Sequence, residues 1–197
     1  MEEKYLPNVE DWDAFLAPYN QAIEELKIKL KGIRLQYRQK GKHAPIEFIT
    51  GRVKTPESIR EKMQVRKILT EDFLEGVQDI AGLRIMCQFV EDIFEVVRLL
   101  RQRNDFTIII ERDYIHQKKA SGYRSYHVVL EYPVQRIEGE EKILVEIQIR
   151  TLAMNFWATI EHSLNYKYKG EFPEIIHERL ERAAEAAFLL DEEMSQI

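Results

Sequence analysis

The chain has 197 residues, 45% hydrophobic, 32% charged and 10% aromatic, enough apolar material for a buried core and too much for a disordered polymer. Its one cysteine, Cys87, excludes a disulfide framework and a Cys-rich zinc site and points to a reducing, cytoplasmic location. The formal charge of −5 is modest; no apolar run approaches the roughly 20 residues of a membrane span, and the acidic opening MEEKYLPNVEDWD is unlike a signal peptide.

From Phe15, apolar residues recur at Tyr19, Ile23, Leu26, Leu30, Ile33 and Tyr37, steps of three and four that predict one long helix with a single buried stripe. Between Glu25 and Glu47 there is no acid, while Lys27, Lys29, Lys31, Arg34, Arg38, Lys40 and Lys42 supply seven bases. Such a block suits an anionic partner, or a helix face set against acids of a neighbouring helix or subunit. Gly41 and Pro45 break the pattern, and Thr55 reads as an N-cap before Pro56, predicting a second helix to about Lys67. Leu83, Ile85, Cys87 and Phe89 then alternate with Arg84, Met86 and Gln88, the period of a strand.

An amphipathic helix is predicted over 91–103, with strands at 106–112, 125–133 and 142–150 and helices near 152–167 and 174–194. In the first of those two helices Phe156 and Trp157 read as core anchors, and His162 as a packed residue outside any site. The last presents Ile176, Leu180, Ala183, Ala187 and Met194 as a small-residue seam. Residues 171–197 hold eight acids and two bases, so the two ends of the chain are opposite in charge. With no repeat and no Ser- or Gly-rich linker, the simplest architecture is one α+β domain over 1–197. It divides into an N-terminal helical arm (1–40), a core (41–170) and a C-terminal helix (171–197).

No G-x-x-x-x-G-K-[ST], G-x-G-x-x-G or H-E-x-x-H motif occurs, so the usual routes to a nucleotide or a metal are closed. In Lys142–Arg150 the apolar face is Ile143, Val145, Ile147 and Ile149, and Leu144, Glu146, Gln148 and Arg150 share the other. Asp79 precedes the first strand, and Gly82 allows close approach of a neighbour or ligand. If these strands are neighbours, Asp79 and Glu146 face one cleft and form a clamp suited to Mg²⁺; otherwise they are a turn acid and a solvent-facing acid. Arg52 and Lys54 alternate in an extended stretch, and Ser58 and Lys62 share a helical face near an N-terminus, a combination that suits a polyphosphate. The run Arg112–His127 mixes cations with three tyrosines and two histidines, fit for a nucleobase with its phosphates or for a flexible basic loop.

Five segments in order, GRVK (51–54), DIAGLRI (79–85), SGYRSYH (121–127), VEIQIRT (145–151) and NFWATIEHSLNYK (155–167), resemble the RelA/SpoT (p)ppGpp synthetase family, in particular its small alarmone synthetases of the RelQ type. The resemblance implies a nucleotidyltransferase-like mixed sheet flanked by helices, and transfer of the β,γ-pyrophosphate of ATP to the 3′-OH of GDP or GTP, releasing AMP. By resemblance, Asp79 and Glu146 hold Mg²⁺ and Glu146 also takes the proton of the attacking hydroxyl. Arg52 and Arg84 sandwich adenine, Lys54, Ser58 and Lys62 grip the donor phosphates, and Arg66 or Lys67 adds a contact. Tyr123 stacks on guanine, Arg112, Lys119 and His127 meet the acceptor's phosphates or ribose, and Gln148 and Asn155 line its pocket.

The resemblance further implies a homotetramer built through the terminal helices and activated by (p)ppGpp in a central cleft approached by Lys31, Phe48, Thr50 and Gly51. The chain contains no His-Asp dipeptide, so by the same resemblance it makes alarmone without degrading it. The alternative from another class is a single-stranded RNA-binding module, which uses the bases of 27–42 and the Tyr-rich loop but leaves Asp79 and Glu146 without a purpose.

Overall fold

The computed structural model describes residues 3–168 and 173–197; the boundary expected between 170 and 171 lies outside them. Asp11 caps α1 (Trp12–Gln39), its carboxylate accepting the backbone N–H groups of Asp13 and Ala14 at 3.0 Å. The predicted stripe is the helix's buried face: Tyr19, Ile23, Leu26 and Leu30 are buried, and Phe15 and Ile33 pack at its margin. Three of the seven bases of the basic block have acid partners among the described residues of the chain. Lys27 pairs with Glu24 at 2.8 Å, Lys29 with Asp105 at 2.8 Å and Arg34 with Glu47 at 3.3 Å, so these bases are neutralised without the acids of the C-terminal helix.

β1 (Phe48–Val53) carries no apolar alternation, and the sequence marks it only as an extended stretch. It is the edge of a five-stranded sheet ordered β1-β2-β5-β4-β3, and pairing with β2 makes it a strand. α2 (Pro56–Arg66) begins as predicted, Thr55 Oγ1 accepting the Ser58 N–H at 3.3 Å, and ends at Lys67 in the left-handed region, φ 53°. A 3₁₀ turn (Thr70–Asp72) and the one-turn α3 (Phe73–Gly76) follow without a sequence signal; Phe73 is buried and its ring lies 5.6 Å from that of Phe15.

β2 (Ala81–Cys87) stops before Phe89. The Phe89 N–H is drawn at 3.2 Å to the Asp92 carboxylate, which makes Phe89 the N-cap of α4 (Val90–Arg101) and removes it from the strand face. Met86, on the face read as polar, is fully buried, held in register between Phe48 and Arg150. β3 (Thr107–Asp113), β4 (Tyr126–Arg136) and β5 (Gly139–Thr151) form an antiparallel meander, and β5 lies parallel to β2. β4 and β5 outrun the predicted strands because their hairpin turns on Ile137 and Glu138, with Gly139 at φ 124°. The mixed α+β architecture expected from the sequence is the one observed. One sheet face, with Leu83, Ile85, Val145, Ile147 and Val128, packs against α1 and α4; the other is left for polar residues.

α5 (Leu152–Lys167) starts directly from β5, Thr151 capping it through the Met154 N–H at 3.1 Å, and packs against α6 (Glu174–Ser195). Trp157 anchors this contact by donating its indole N–H to Leu180 O at 2.8 Å, whereas Phe156 is 70% exposed and is no core anchor. The α6 seam is as expected at Leu180, which is buried, and at Ile176, which packs in the same cluster; elsewhere it differs, Ala184 and Asp191 being buried while Ala183 and Met194 face outward. Leu180 belongs to both sets, and one residue, about 100° of helix, separates Ala183 from Ala184, because that part of the seam is chosen by the loop before β4. Gly122 there has φ +87°, and a Cβ on it would lie 2.6 Å from the Ala184 Cβ. Gly122→Ala is expected to destabilise the protein by about 1–3 kcal/mol, read from the urea midpoint; an unchanged midpoint would mean that this loop does not dock on α6.

Asp191 is 6% exposed and accepts the Thr151 hydroxyl at 2.5 Å. Burial pushes its carboxyl up to about 6, above its unfolded value, so the neutral form stabilises the docked helix at low pH and this contribution is lost as pH rises through about 6. Asp191→Asn should therefore raise Tm by about 4–8 °C at pH 8 and change it little near pH 4, as followed by calorimetry. Equal shifts at the two pH values would contradict the titration. Among the described residues no helix is long and apolar enough to cross a membrane.

Candidate active site

Backbone register places the polar residues in two rows across the open sheet face. Thr50 opposes Arg84, Arg84 opposes Gln148, Gln148 opposes His127 and His127 opposes Arg112. One step along, Arg52 opposes Gly82 and Gly82 opposes Glu146. The strand period of two turns both rows to the same side. A Cβ on Gly82 would meet nothing nearer than the Arg52 carbonyl at 3.9 Å, so its absence leaves a gap in the floor between Arg52 and Glu146.

Asp79 enters from the turn before β2. Its Oδ2 accepts Lys54 Nζ at 2.7 Å and its Oδ1 accepts Lys62 Nζ at 2.6 Å. Lys54 is held just beyond β1 by its N–H bond to Ile80 O at 2.8 Å, and Lys62 comes from the second turn of α2. Burial alone would raise the Asp79 carboxyl, but the two ammonium groups hold it below the usual carboxylate range. Burial depresses the Lys62 ammonium despite that contact, and Arg66 and Lys54 push the same way. Two ammonium groups on one carboxylate, with Arg66 near Lys62, leave positive charge for a further anion.

Glu146 is also held low: burial would raise it, yet hydrogen bonds from His127 and Gln148 prevail, against the nearby negative charge of Asp79. His127 Nδ1 lies 3.3 Å from Oε1, and Gln148 Nε2 donates to Oε2 at 2.9 Å. On the opposite side Arg84 and Arg52 line one cleft, and burial and the charges of Arg150 and Arg52 lower the Arg84 guanidinium.

Two cavities meet at these carboxylates. A cleft of about 220 Å³ is lined by Arg52, Lys54 and Arg84, and a larger cavity of about 600 Å³ by Lys62, Arg66, Arg112, Lys119, Tyr123 and His127. Asp79, Glu146 and Gln148 belong to both walls. A groove of about 550 Å³ between α2 and α5 adds Ser58 and joins the two through Arg52, Lys54, Lys62 and Arg66. Lys119 Nζ sits 4.7 Å over the Tyr114 ring and 4.8 Å over the Tyr123 ring.

The structure thus gathers the donor and acceptor residues named from the sequence, Asn155 excepted. Asn155 lies in the first turn of α5 and lines neither cavity; the cavity wall reaches this helix at Glu161 and His162, roughly 10 Å further along the axis. His162, expected to be packed, is exposed and lines both the larger cavity and the groove. Gly51 opposes Leu83, and a Cβ on it would lie 2.8 Å from both Ile23 and Leu83 side chains, so its direct task is to let α1 approach β1. Phe48 and Thr50 stand on the cleft face of β1, and Lys31 is exposed on α1. Gln78, Tyr114 and Arg150 escape the sequence reading as site residues. Tyr114 lies within the tyrosine-rich run and Arg150 on the polar face of β5, whereas Gln78 carries no signal.

Residues 51–171 match the family model described as the region found in RelA / SpoT proteins. The chain belongs to the RelA/SpoT family. It is 62% identical over 186 residues to the GTP pyrophosphokinase YjbM of Bacillus subtilis (strain 168), covering 94% of this chain and 88% of that protein. Its fold matches the small alarmone synthetase 1 of Bacillus subtilis bound to its product pppGpp with a TM-score of 0.89, at 61% identity over 94% of this chain and 95% of that one. The same synthetase bound to AMPCPP matches with a TM-score of 0.82, at 57% identity over 94% of each chain. The RelA/SpoT region encloses every residue of the two cavity walls except Thr50.

Proposed function

We infer that the protein is a (p)ppGpp synthetase, moving the β,γ-pyrophosphate of ATP to the 3′-OH of GDP or GTP with release of AMP. The observation that carries this reading is the sharing of Asp79 and Glu146 by two cation-rich cavities, one for each nucleotide. Arg52 and Arg84 offer planar cations to an adenine. Lys54, Ser58, Lys62 and Arg66 line the path of its phosphates. In the larger cavity Tyr123 takes the guanine, and a base there displaces Lys119 from the ring and frees its ammonium, with Arg112, for the acceptor's phosphates. His127 and Gln148 hold Glu146, which accepts the proton of the 3′-OH. Transfer of this kind asks mainly for alignment and neutralised charge.

Two carboxylates are hard oxygen donors of the kind Mg²⁺ takes together with water and phosphate. Both Asp79 oxygens already face ammonium groups at 2.6–2.7 Å, so the position suits positive charge. Bound there, Mg²⁺ would neutralise the charge on the transferred phosphates.

The 1–197 chain acts in this reading as one synthetase domain that assembles into a cytoplasmic homotetramer. Exposed Ile28 and Leu35 on α1, Phe156 and Ile160 on α5, and Leu189 and Leu190 on α6 supply apolar surface for such contacts. Activation by (p)ppGpp through Lys31, Phe48, Thr50 and Gly51 belongs to the same proposal. The RNA alternative is disfavoured by the pairing of Lys27, Lys29 and Arg34 with acids. Incubation with Mg²⁺, labelled ATP and GDP should yield AMP and guanosine tetraphosphate in equal amounts; retention of labelled ATP unchanged would refute the reading.

A further inference from the structure

Arg150 is 5% exposed, lines neither cavity, and has no carboxylate within ion-pair distance among the described residues. It lies close enough to Arg84 to feel its charge. A buried guanidinium beside a second cation is unfavourable unless its N–H groups are well used. One nitrogen, Nη2, uses both of its hydrogens on the active site: it donates to the Tyr123 hydroxyl at 2.6 Å and to Gln148 Oε1 at 2.7 Å. Its Nε donates to Ser125 Oγ at 3.3 Å, and the guanidinium carbon lies 5.2 Å from the centre of the Tyr123 ring.

An arginine can only donate, and that fixes the sense of the bond beyond it on the Gln148 arm. The Gln148 carbonyl is occupied by Arg150, so its amide N–H₂ is the end turned to Glu146 Oε2, at 2.9 Å. The Tyr123 oxygen accepts from Arg150 and can accept again, but the Glu146 carboxylate only accepts, so His127 Nδ1 carries a hydrogen toward its Oε1, 3.3 Å away, and Nε2 of the neutral ring is left to accept the Tyr123 hydrogen at 2.7 Å. We propose that Arg150 is a positioning residue for pyrophosphate transfer: a single nitrogen, acting through Gln148 on one arm and Tyr123 and His127 on the other, sets the donors that hold both oxygens of Glu146.

The proposal rests on Glu146 as the acceptor of the 3′-OH proton, but its first test does not need activity. Ring ¹⁵N NMR of the wild-type protein at pH 8, with His127 assigned by its loss in His127→Gln, should show the Nδ1–H tautomer. An Nε2–H or doubly protonated ring overturns the relay whether or not any variant folds. In kinetics, Arg150→Met should lower kcat by about 10–100-fold and leave the KM for ATP within about threefold, with Arg150→Lys recovering part of the loss. Wild-type kcat in Arg150→Met, or KM for ATP rising in step with the loss of kcat, overturns the positioning role. A wild-type protein that makes no AMP would instead remove the functional reading and leave the tautomer to judge the relay.

Discussion

Glu146→Gln is expected to lower the rate of AMP release by at least about 10²- to 10⁴-fold, the usual worth of a general base, with the circular dichroism spectrum unchanged. The two side chains have the same shape, so the floor of the cleft stays filled. What changes is the sense of the hydrogen bonds. His127 and Gln148 each present a donor to one carboxylate oxygen, and an amide offers one oxygen and one N–H₂. One of the two contacts then sets donor against donor until a neighbour turns. The variant should still bind nucleotides, because the cations of both cavities are untouched. Near-normal turnover in a folded variant would remove Glu146 from the chemistry.

Asp79→Asn should cost about 10²- to 10³-fold in rate, the range seen when one preorganised electrostatic group is removed, and the residual rate should no longer rise with Mg²⁺. The same change should be felt in stability. Lys54 and Lys62 now share one carboxylate at 2.7 and 2.6 Å and are only partly exposed; an amide oxygen can serve one of them and leaves the other unpaired. A loss of about 1–2 kcal/mol is expected, below the range for fully buried pairs because water reaches the site. Inorganic pyrophosphate should raise the melting temperature of this variant more than that of the wild type, since it meets a net positive pocket. A variant as fast and as Mg²⁺-responsive as the wild type would rule out Asp79 as a ligand.

Most of the fold is legible where apolar periodicity coincides with one-sided burial. The α1 stripe and the alternation of β5 are of this kind: Ile143, Val145, Ile147 and Ile149 are buried as read, and Glu146 and Gln148 are turned to the cleft. Reading fails where a neighbour supplies the environment. β1 is a strand because β2 pairs with it, and its own residues show no period. Met86 sits on a polar face and is buried because the sheet is covered at that end. Ala184 rather than Ala183 faces the protein because Gly122 docks there.

The candidate site divides in the same way. Residue type and local order make Asp79, Glu146 and the neighbouring cations candidates, since phosphate and metal binding draw on such groups, and the resemblance to the family assigns each its expected role. His162 and Asn155 exchange places because seven residues along a helix preserve its face but move the side chain along its axis, and only packing decides which turn meets the cavity.

The amino-acid sequence by itself determines which segments are helices or strands wherever one face is apolar, and which groups can neutralise a polyphosphate. Those are properties of single residues and of their spacing along the chain. Only the tertiary structure decides that β2 and β5 lie side by side, so that Asp79 and Glu146 become the common wall of two cavities. It alone shows, too, that Arg150 turns its donors inward to the residues that hold Glu146. Register and burial depend on partners distant in the chain, and no local pattern records them.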